Sequence, residues 1–382
     1  MILPANRLQS IQEYYFSSKL REVRQLEAQG LSIINMGIGS PDLPPAPEVL
    51  LALQNSLTDA TAHQYQSYQG LPELRQGMSD FYQRFFNVNL DWQSEILPLM
   101  GSKEGIMHLS MAFLNEGDKV LIPNPGYPTY TSVTQLVGAT PLYYELSESR
   151  CWEPDWEALE QMNLSGVKLM WVSYPHMPTG ATGSTKVLER LIAFAHKHEI
   201  IVVNDNPYSF ILNKSPRSIL QIEGAKEVAL ELNSLSKTYN LAGWRIGMLS
   251  GKKEYIETVL KVKSNMDSGM FYGIQKGAIA ALQLDEHWFK SQNDIYQYRR
   301  TLAFELATKL GLKYSPKQTG LFVWAKLPNG TMSAEAYIDH LLYDKNIFIA
   351  PGTLFGSQGE GYVRLSLCVT AEKIQEALQR VH

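Results

Sequence analysis

An α/β fold with a mostly parallel central sheet and a smaller α+β unit is predicted, on two observations. Short apolar runs alternate with longer stretches of helical period from about residue 95 to 250, the pattern of parallel strands joined by helical crossovers. The polar residues best suited to chemistry follow directly after those runs, at strand carboxyl ends, where open α/β sheets collect their ligands. A chain of 382 residues has room for two such units.

The runs are Lys119 to Ile122, Lys168 to Ser173, Ile200 to Asn204, Val228 to Leu232 and Ile246 to Ser250. Asn124-Pro-Gly-Tyr127, Tyr174-Pro-His-Met-Pro-Thr-Gly180, Asp205 and Ser234 follow the first four in turn. Gly101-Ser-Lys-Glu-Gly105 precedes a helical stretch, Ile106 to Phe113, with Ser102 expected as N-cap. Exposed N–H groups at such a helix start attract an anion, and glycine lets it come close. Residues 251–284 read as a long helical connection broken near Ser268-Gly269. Gly320 to Lys326 and Tyr362 to Leu367 then read as strands of the smaller unit, and Ala371 to Val381 as a terminal helix. No Gly/Ser-rich or Pro-rich linker separates the halves, so the two are expected to pack closely.

Composition narrows the function. A net charge of −4 with mixed signs offers no basic stripe for nucleic acid or anionic lipid. The N-terminus has no apolar signal region and no uncharged apolar run is long enough to span a bilayer, so a cytoplasmic protein is expected. Cys151 and Cys368 lie far apart in sequence, as is ordinary in a reducing compartment. The histidines show no HExxH or cysteine-pair context, and no metal is expected. Met36-Gly-Ile-Gly-Ser-Pro-Asp42 contains Gly-x-Gly, but Pro41 blocks a helix start, so a dinucleotide fingerprint fails.

The segment richest in chemistry is Ser234-Leu-Ser-Lys-Thr-Tyr-Asn-Leu-Ala-Gly-Trp-Arg-Ile-Gly247. One amine, Lys237, stands among small hydroxyls with Arg245 eight residues on. A Ser-x-Ser-Lys alone is an ordinary helix start. With the Gly-Trp-Arg-Ile-Gly that follows, the stretch resembles the lysine signature of the class I and II aminotransferases, the fold-type I enzymes that use pyridoxal 5′-phosphate. The resemblance runs from the Gly37 segment to Arg364. It implies a Schiff base on Lys237, which also acts as general base, and a phosphate held by Ser234, Ser236, Arg245, Ser102 and Lys103. Asp205 would pair with the ring nitrogen, Tyr208 reach the ring's phenolic oxygen, and Tyr127 stack on the ring. Gly39 would lie beside the substrate carboxylate, and Arg364 would fork it, as only a guanidinium can. Tyr65, five residues before Gly70, matches a tyrosine that reaches the phosphate of the neighbouring subunit; Ser268 is a looser match for a similar role. A homodimer with shared active sites is therefore implied.

The resemblance also implies a large cofactor-binding domain over residues 46–280, with residues 1–45 and 281–382 forming the small domain. The expected reaction is amino transfer from an L-amino acid to a 2-oxo acid in amino acid metabolism. A carbon–sulfur lyase acting by β-elimination is the alternative, since both reactions share one carbanion. A cofactor-binding regulatory protein fits less well, for want of a DNA-binding module. One position departs from the pattern: Met177-Pro-Thr-Gly180 stands where the family commonly has Asn-Pro-Thr-Gly, with the Asn donating to the phenolic oxygen. Methionine cannot donate, so only Tyr208 remains and the Schiff base is expected to hold its proton more tightly. No second arginine can be assigned to the far end of a substrate; Tyr14-Tyr15-Phe16 with Lys19 are candidates to line the pocket.

Overall fold

The computed structural model describes residues 2–8, 11, 15–328 and 332–381, with backbone alone for 15 and 16. Tyr14 and the side chains of Tyr15 and Phe16 therefore lie outside the described residues. The strands are β1 (Ile34–Asn35), β2 (Ile96–Leu99), β3 (Lys119–Asn124), β4 (Thr140–Glu145), β5 (Val167–Val172), β6 (Ile201–Asp205), β7 (Ala229–Ser234), β8 (Gly247–Gly251), β9 (Lys313–Tyr314), β10 (Phe322–Lys326), β11 (Ile347–Phe348), β12 (Ala350–Pro351) and β13 (Tyr362–Ser366).

Seven of these form one sheet in the order β2-β8-β7-β6-β5-β3-β4. Strands β3 to β7 pair in parallel, and β3, β5 and β6 are almost continuously buried and largely apolar, as a sheet covered by helices on both faces requires. Helix Thr185–His198 is one of the crossovers; the Ser184 hydroxyl accepts from the Val187 N–H at its start, and Val187, Leu188, Leu191 and Ile192 face the sheet core. The run around Ile246 to Ser250 enters the sheet antiparallel, as β8, between β2 and β7. Only one short helix and a turn separate β7 from β8, which brings the chain back alongside its predecessor. Strands β2 and β4 were not among the expected runs; each contains a proline, and β4 lies at an edge where a missing N–H costs least. The expected 251–284 connection is two helices, Lys253–Lys263 and Tyr272–Gln283, broken between them as predicted.

The C-terminal part carries a four-stranded antiparallel sheet, β12-β13-β10-β9, and β1 pairs in parallel with β11. Val23, Ile34 and Met36 are buried with Leu306, Phe348 and Leu365 in one apolar core. The glycine segment itself is not regular strand, but Met36 is pinned on both sides: its N–H donates to Phe348 and its carbonyl accepts from Ser366. Helix Glu286–Lys309 runs past both cores, with Phe289 in one and Leu302, Ala303 and Leu306 in the other. From its middle Arg299 forks the Asp42 carboxylate at 2.7 and 2.8 Å, which ties the segment after the glycines to this helix. No helix among the described residues is long and apolar enough to cross a membrane.

Candidate active site

A cavity of about 480 Å³ opens at the carboxyl ends of β6 and β7, within the size range of small-molecule sites, roughly 300–1,000 Å³. Ser102, Lys103, Tyr127, Asp205, Tyr208, Ser234, Ser236, Lys237, Arg245, Gly39 and Arg364 all line it. The residues singled out from the sequence thus converge, Tyr65 and Ser268 excepted. Tyr65 is 91% exposed, and Ser268 is exposed on the turn between two helices.

Asp205 ends β6, buried. The Tyr130 hydroxyl donates to its Oδ2 at 2.8 Å, while Oδ1 is buried without a partner. Burial pushes this carboxyl up to about 6, against the Tyr130 bond, which lowers it; Glu231 next door raises it further. Glu231 is itself enclosed, accepting from Tyr82, Asn204 and the Ile219 N–H at 3.0 Å each. An orphaned, buried carboxylate oxygen is a costly arrangement unless a donor fills it. A protonated ring nitrogen is such a donor.

At the other end, helix Ser102–Phe113 presents its first N–H groups to the cavity. Gly101 is its cap and Ser102 its first residue, one position on from the expected N-cap. Gly101 has φ +88, and a Cβ there would sit 2.1 Å from Arg245 Nη2; one on Gly247 would sit 2.7 Å from the Ser102 N–H nitrogen. Two missing side chains therefore leave a cradle of N–H groups, guanidinium and hydroxyls. Ser234 caps the short helix Leu235–Thr238 by accepting from the Ser236 N–H, and Arg245 Nη1 reaches Ser236 Oγ at 3.5 Å. Burial lowers the Lys103 amine from its usual range, and the Arg245 charge adds to this.

Lys237 projects between these two ends. Its Nζ donates to the Gly39 carbonyl at 2.6 Å. Burial holds its pKa below the ordinary lysine value, with Arg364 and Arg245 pushing the same way. An amine so held loses its proton more readily, as a nucleophile and base must.

Arg364, buried on β13, donates from Nη2 to the Gly37 carbonyl at 2.8 Å. Its guanidinium carbon lies 3.8 Å from the Phe322 ring centre and 4.7 Å from that of Phe355, which fixes its plane. Gly39 is needed for this packing, because a Cβ there would meet Phe322 at 2.2 Å. Tyr208 sits edge-on to Phe322, its hydroxyl pKa raised by burial. Met177 is buried on the loop after β5, where the His176 ring meets the Thr179 hydroxyl at 2.8 Å. Tyr127 is half-buried at the start of helix Pro128–Leu136, edge-on to Tyr130.

Sequence reasoning missed Tyr130, Glu231 and Phe322. The spacing Tyr127 to Tyr130, one turn on a helix, was the available signal for the first. Elsewhere, Glu104, His108 and Asp267 bring ligand-type atoms within 4.8 Å of one another. The buried Lys263 amine, 2.6 Å from Asp267, already supplies positive charge there, and no metal role is assigned.

Three comparisons bear on this site. The family described as aminotransferase class I and II matches residues 32–381. LL-diaminopimelate aminotransferase of Aquifex aeolicus is 38% identical over 379 residues, covering 99% of this chain and 98% of its own. Among solved structures, substrate-bound BacF of Bacillus subtilis superposes with a TM-score of 0.94 at 32% identity, covering 100% of this chain and 97% of that one. A Thermus thermophilus aspartate aminotransferase mutant gives 0.92 at 26% identity, with 100% and 99% covered.

Proposed function

The chain belongs to the class I and II aminotransferases, and on that premise we propose a role for each residue of its site. It is a pyridoxal-phosphate-dependent transaminase of fold type I. When bound, the cofactor supplies an aldehyde that captures amines and a protonated ring that accepts electrons from the substrate α-carbon. Lys237 is the amine that holds the aldehyde and, once displaced, the base that moves the α-proton. Asp205 Oδ1 takes the ring N–H, and Tyr130 keeps Asp205 oriented. The helix start at Ser102, with Ser234, Ser236, Lys103 and Arg245, receives the phosphate. Tyr127 covers the ring, Tyr208 donates to its phenolic oxygen, and Arg364 with Gly39 receives the substrate carboxylate.

The observation that carries this reading is the orphaned Asp205 Oδ1, buried in the cavity that also holds Lys237 and Arg364. Borohydride reduction of the holoenzyme followed by peptide mapping tests it. A pyridoxyl mass on Lys237 is expected; a mass on another lysine, or none, overturns it. Transfer rather than elimination is tested by mixing the holoenzyme with a cysteine S-conjugate alone, whose β-thiol can leave. Conversion to the amine form without pyruvate and ammonia is expected, and continuous pyruvate release would favour the lyase.

Amino transfer between an L-amino acid and a 2-oxo acid is the reaction, and the relatives' name raises LL-diaminopimelate as a donor. A two-fold homodimer is part of the proposal, supported by Tyr65, whose exposed ring needs a neighbouring subunit to reach a phosphate. A large domain over 46–280 and a small one from 1–45 with 281–382 is supported by the core that Val23, Ile34 and Met36 share with C-terminal residues. The two free cysteines support a reducing, cytoplasmic location.

A further inference from the structure

We propose that the amino donor this site selects has an uncharged, apolar side chain. The proposal rests on the transaminase reading and deepens it. Once the cofactor and the substrate carboxylate have their partners, the rest of the cavity wall is uncharged and mostly apolar, with Leu20, Ile38, Met177, Phe322 and Phe355 beside the hydroxyls of Ser17, Ser40 and Ser173. Among the described lining residues, the charged ones are Lys103, Asp205, Lys237, Arg245 and Arg364. Lys103 and Arg245 belong to the helix start that receives the phosphate, Asp205 to the ring nitrogen, Lys237 to the aldehyde, and Arg364 to the α-carboxylate. No charge among the described lining residues of this subunit is left over for the far end of a substrate.

The helix Tyr15–Ala28 makes the selection legible. It turns Ser17 and Leu20, one helical turn apart, into the cavity. Two charges flanking Leu20 are paired elsewhere: Lys19 pairs with Asp339 at 2.7 Å and with Glu22 at 2.8 Å, and Tyr343 donates to Glu22. These partners hold the polar side of the helix against helix Ala334–Lys345. A distal carboxylate entering the cavity would meet Leu20 and Ile38 in place of its water, and among the described lining residues of this subunit a distal ammonium would find no acid besides Asp205. Either burial is costly without a partner. An aliphatic or aromatic side chain loses nothing there and gains contact with Leu20, Ile38 and Phe355. The proposal parts from the substrate in the relatives' name, since diaminopimelate carries both an ammonium and a carboxylate at its far end.

The test uses the holoenzyme in two ways. In single half-reactions followed by cofactor absorbance, L-phenylalanine and L-leucine should react roughly tenfold or more faster, per unit concentration, than L-aspartate, L-glutamate or LL-diaminopimelate. A charged donor that equals or exceeds them overturns the proposal. In equilibrium titrations with unreactive acids, hydrocinnamate should bind roughly tenfold tighter than glutarate. Equal or reversed affinity overturns it too. Because these acids undergo no transfer, the second measurement stands apart from the first. Should no donor be converted while hydrocinnamate still binds the tighter, the transamination reading falls and the apolar pocket is supported. Leu20→Arg should move the glutarate-to-hydrocinnamate affinity ratio toward glutarate by about tenfold; an unmoved ratio overturns the assignment of Leu20 to the side-chain pocket.

Discussion

Arg364 Nη1 lies 3.4 Å from Met177 Sδ, while the other terminal nitrogen donates to the Gly37 carbonyl. A thioether is a weak acceptor, so this contact restrains the guanidinium by packing more than by direction. The Phe322 and Phe355 rings, 3.8 and 4.7 Å from the guanidinium carbon, restrain it instead. The polarity of residue 177 therefore matters little to the orientation of the arginine. Its consequence falls on the cofactor side of the cavity, where an asparagine would donate and methionine cannot.

Met177→Asn should therefore lower the pH midpoint of the bound cofactor's absorbance change. A donor to the phenolic oxygen stabilises the anion and loosens its hold on the neighbouring proton. One added hydrogen bond to a charged oxygen, about 1.5–3 kcal/mol, corresponds to a change of roughly one to two pH units. A spectral titration of the two holoenzymes reads it, and an unchanged midpoint refutes it.

Asp205 makes the cofactor-free protein sensitive to pH. Its folded pKa of about 6 lies above the unfolded value of 3.8. Its contribution is therefore fully present below pH 3.8 and is lost as pH rises through 6, when a buried charge must form. The penalty at neutral pH is at most about 3 kcal/mol, at about 1.4 kcal/mol for each tenfold change in proton affinity. Asp205→Asn should raise the Tm of the cofactor-free protein at pH 7.5 by roughly three times as much as at pH 4.5, where the unfolded carboxyl is already mostly ionised. The same substitution should weaken cofactor binding, because the ring nitrogen loses its counter-charge. Equal Tm changes at both pH values would contradict the buried-charge account.

That Lys237, Asp205 and Arg364 would share one cavity was legible in the sequence because the proposed chemistry admits few other residue types, and each follows or sits in a readable strand pattern. Tyr130 was not, since a tyrosine on a half-apolar helix reads as core; only the fold brings its hydroxyl to Asp205. Glu231 was hidden for the opposite reason, as an acid inside an apolar strand whose partners, Tyr82, Asn204 and Ile219, come from three separate segments. The direction of β8 was likewise out of reach, because an apolar run fixes burial and not polarity of the chain. The proposed substrate wall depended on Leu20 and Ile38 lining one cavity with Phe355, more than 300 residues away in the chain.

Gly101→Ala should weaken the phosphate end of the site without touching Lys237. The new Cβ would overlap Arg245 Nη2, and the guanidinium, at the end of a flexible side chain, must swing aside. Alanine at φ +88 adds backbone strain of order 1 kcal/mol. That strain is present with and without the cofactor and so acts on stability; one lost charge-assisted bond, worth about 1.5–3 kcal/mol, should lower cofactor affinity by roughly tenfold to a hundredfold or somewhat more. Equilibrium dialysis against pyridoxal 5′-phosphate measures it. Pyridoxal, which lacks the phosphate, serves as the control and should bind both proteins alike.

Gly39→Ala tests whether Phe322 positions Arg364. The added Cβ would meet Phe322 Cζ at 2.2 Å, so the ring must move, and with it the stacked guanidinium 3.8 Å away. The Gly39 carbonyl, which accepts from Lys237, stays in the chain. Loss should therefore appear in recognition of the carboxylate: the affinity for hydrocinnamate should fall by about tenfold or more, the scale of one charge-assisted bond. Borohydride trapping of the cofactor on Lys237 should persist. A variant that binds hydrocinnamate normally would show that the Phe322 ring yields without moving Arg364, and the stacking account would fail. A variant that loses the trapped cofactor instead would place the role of Gly39 at Lys237.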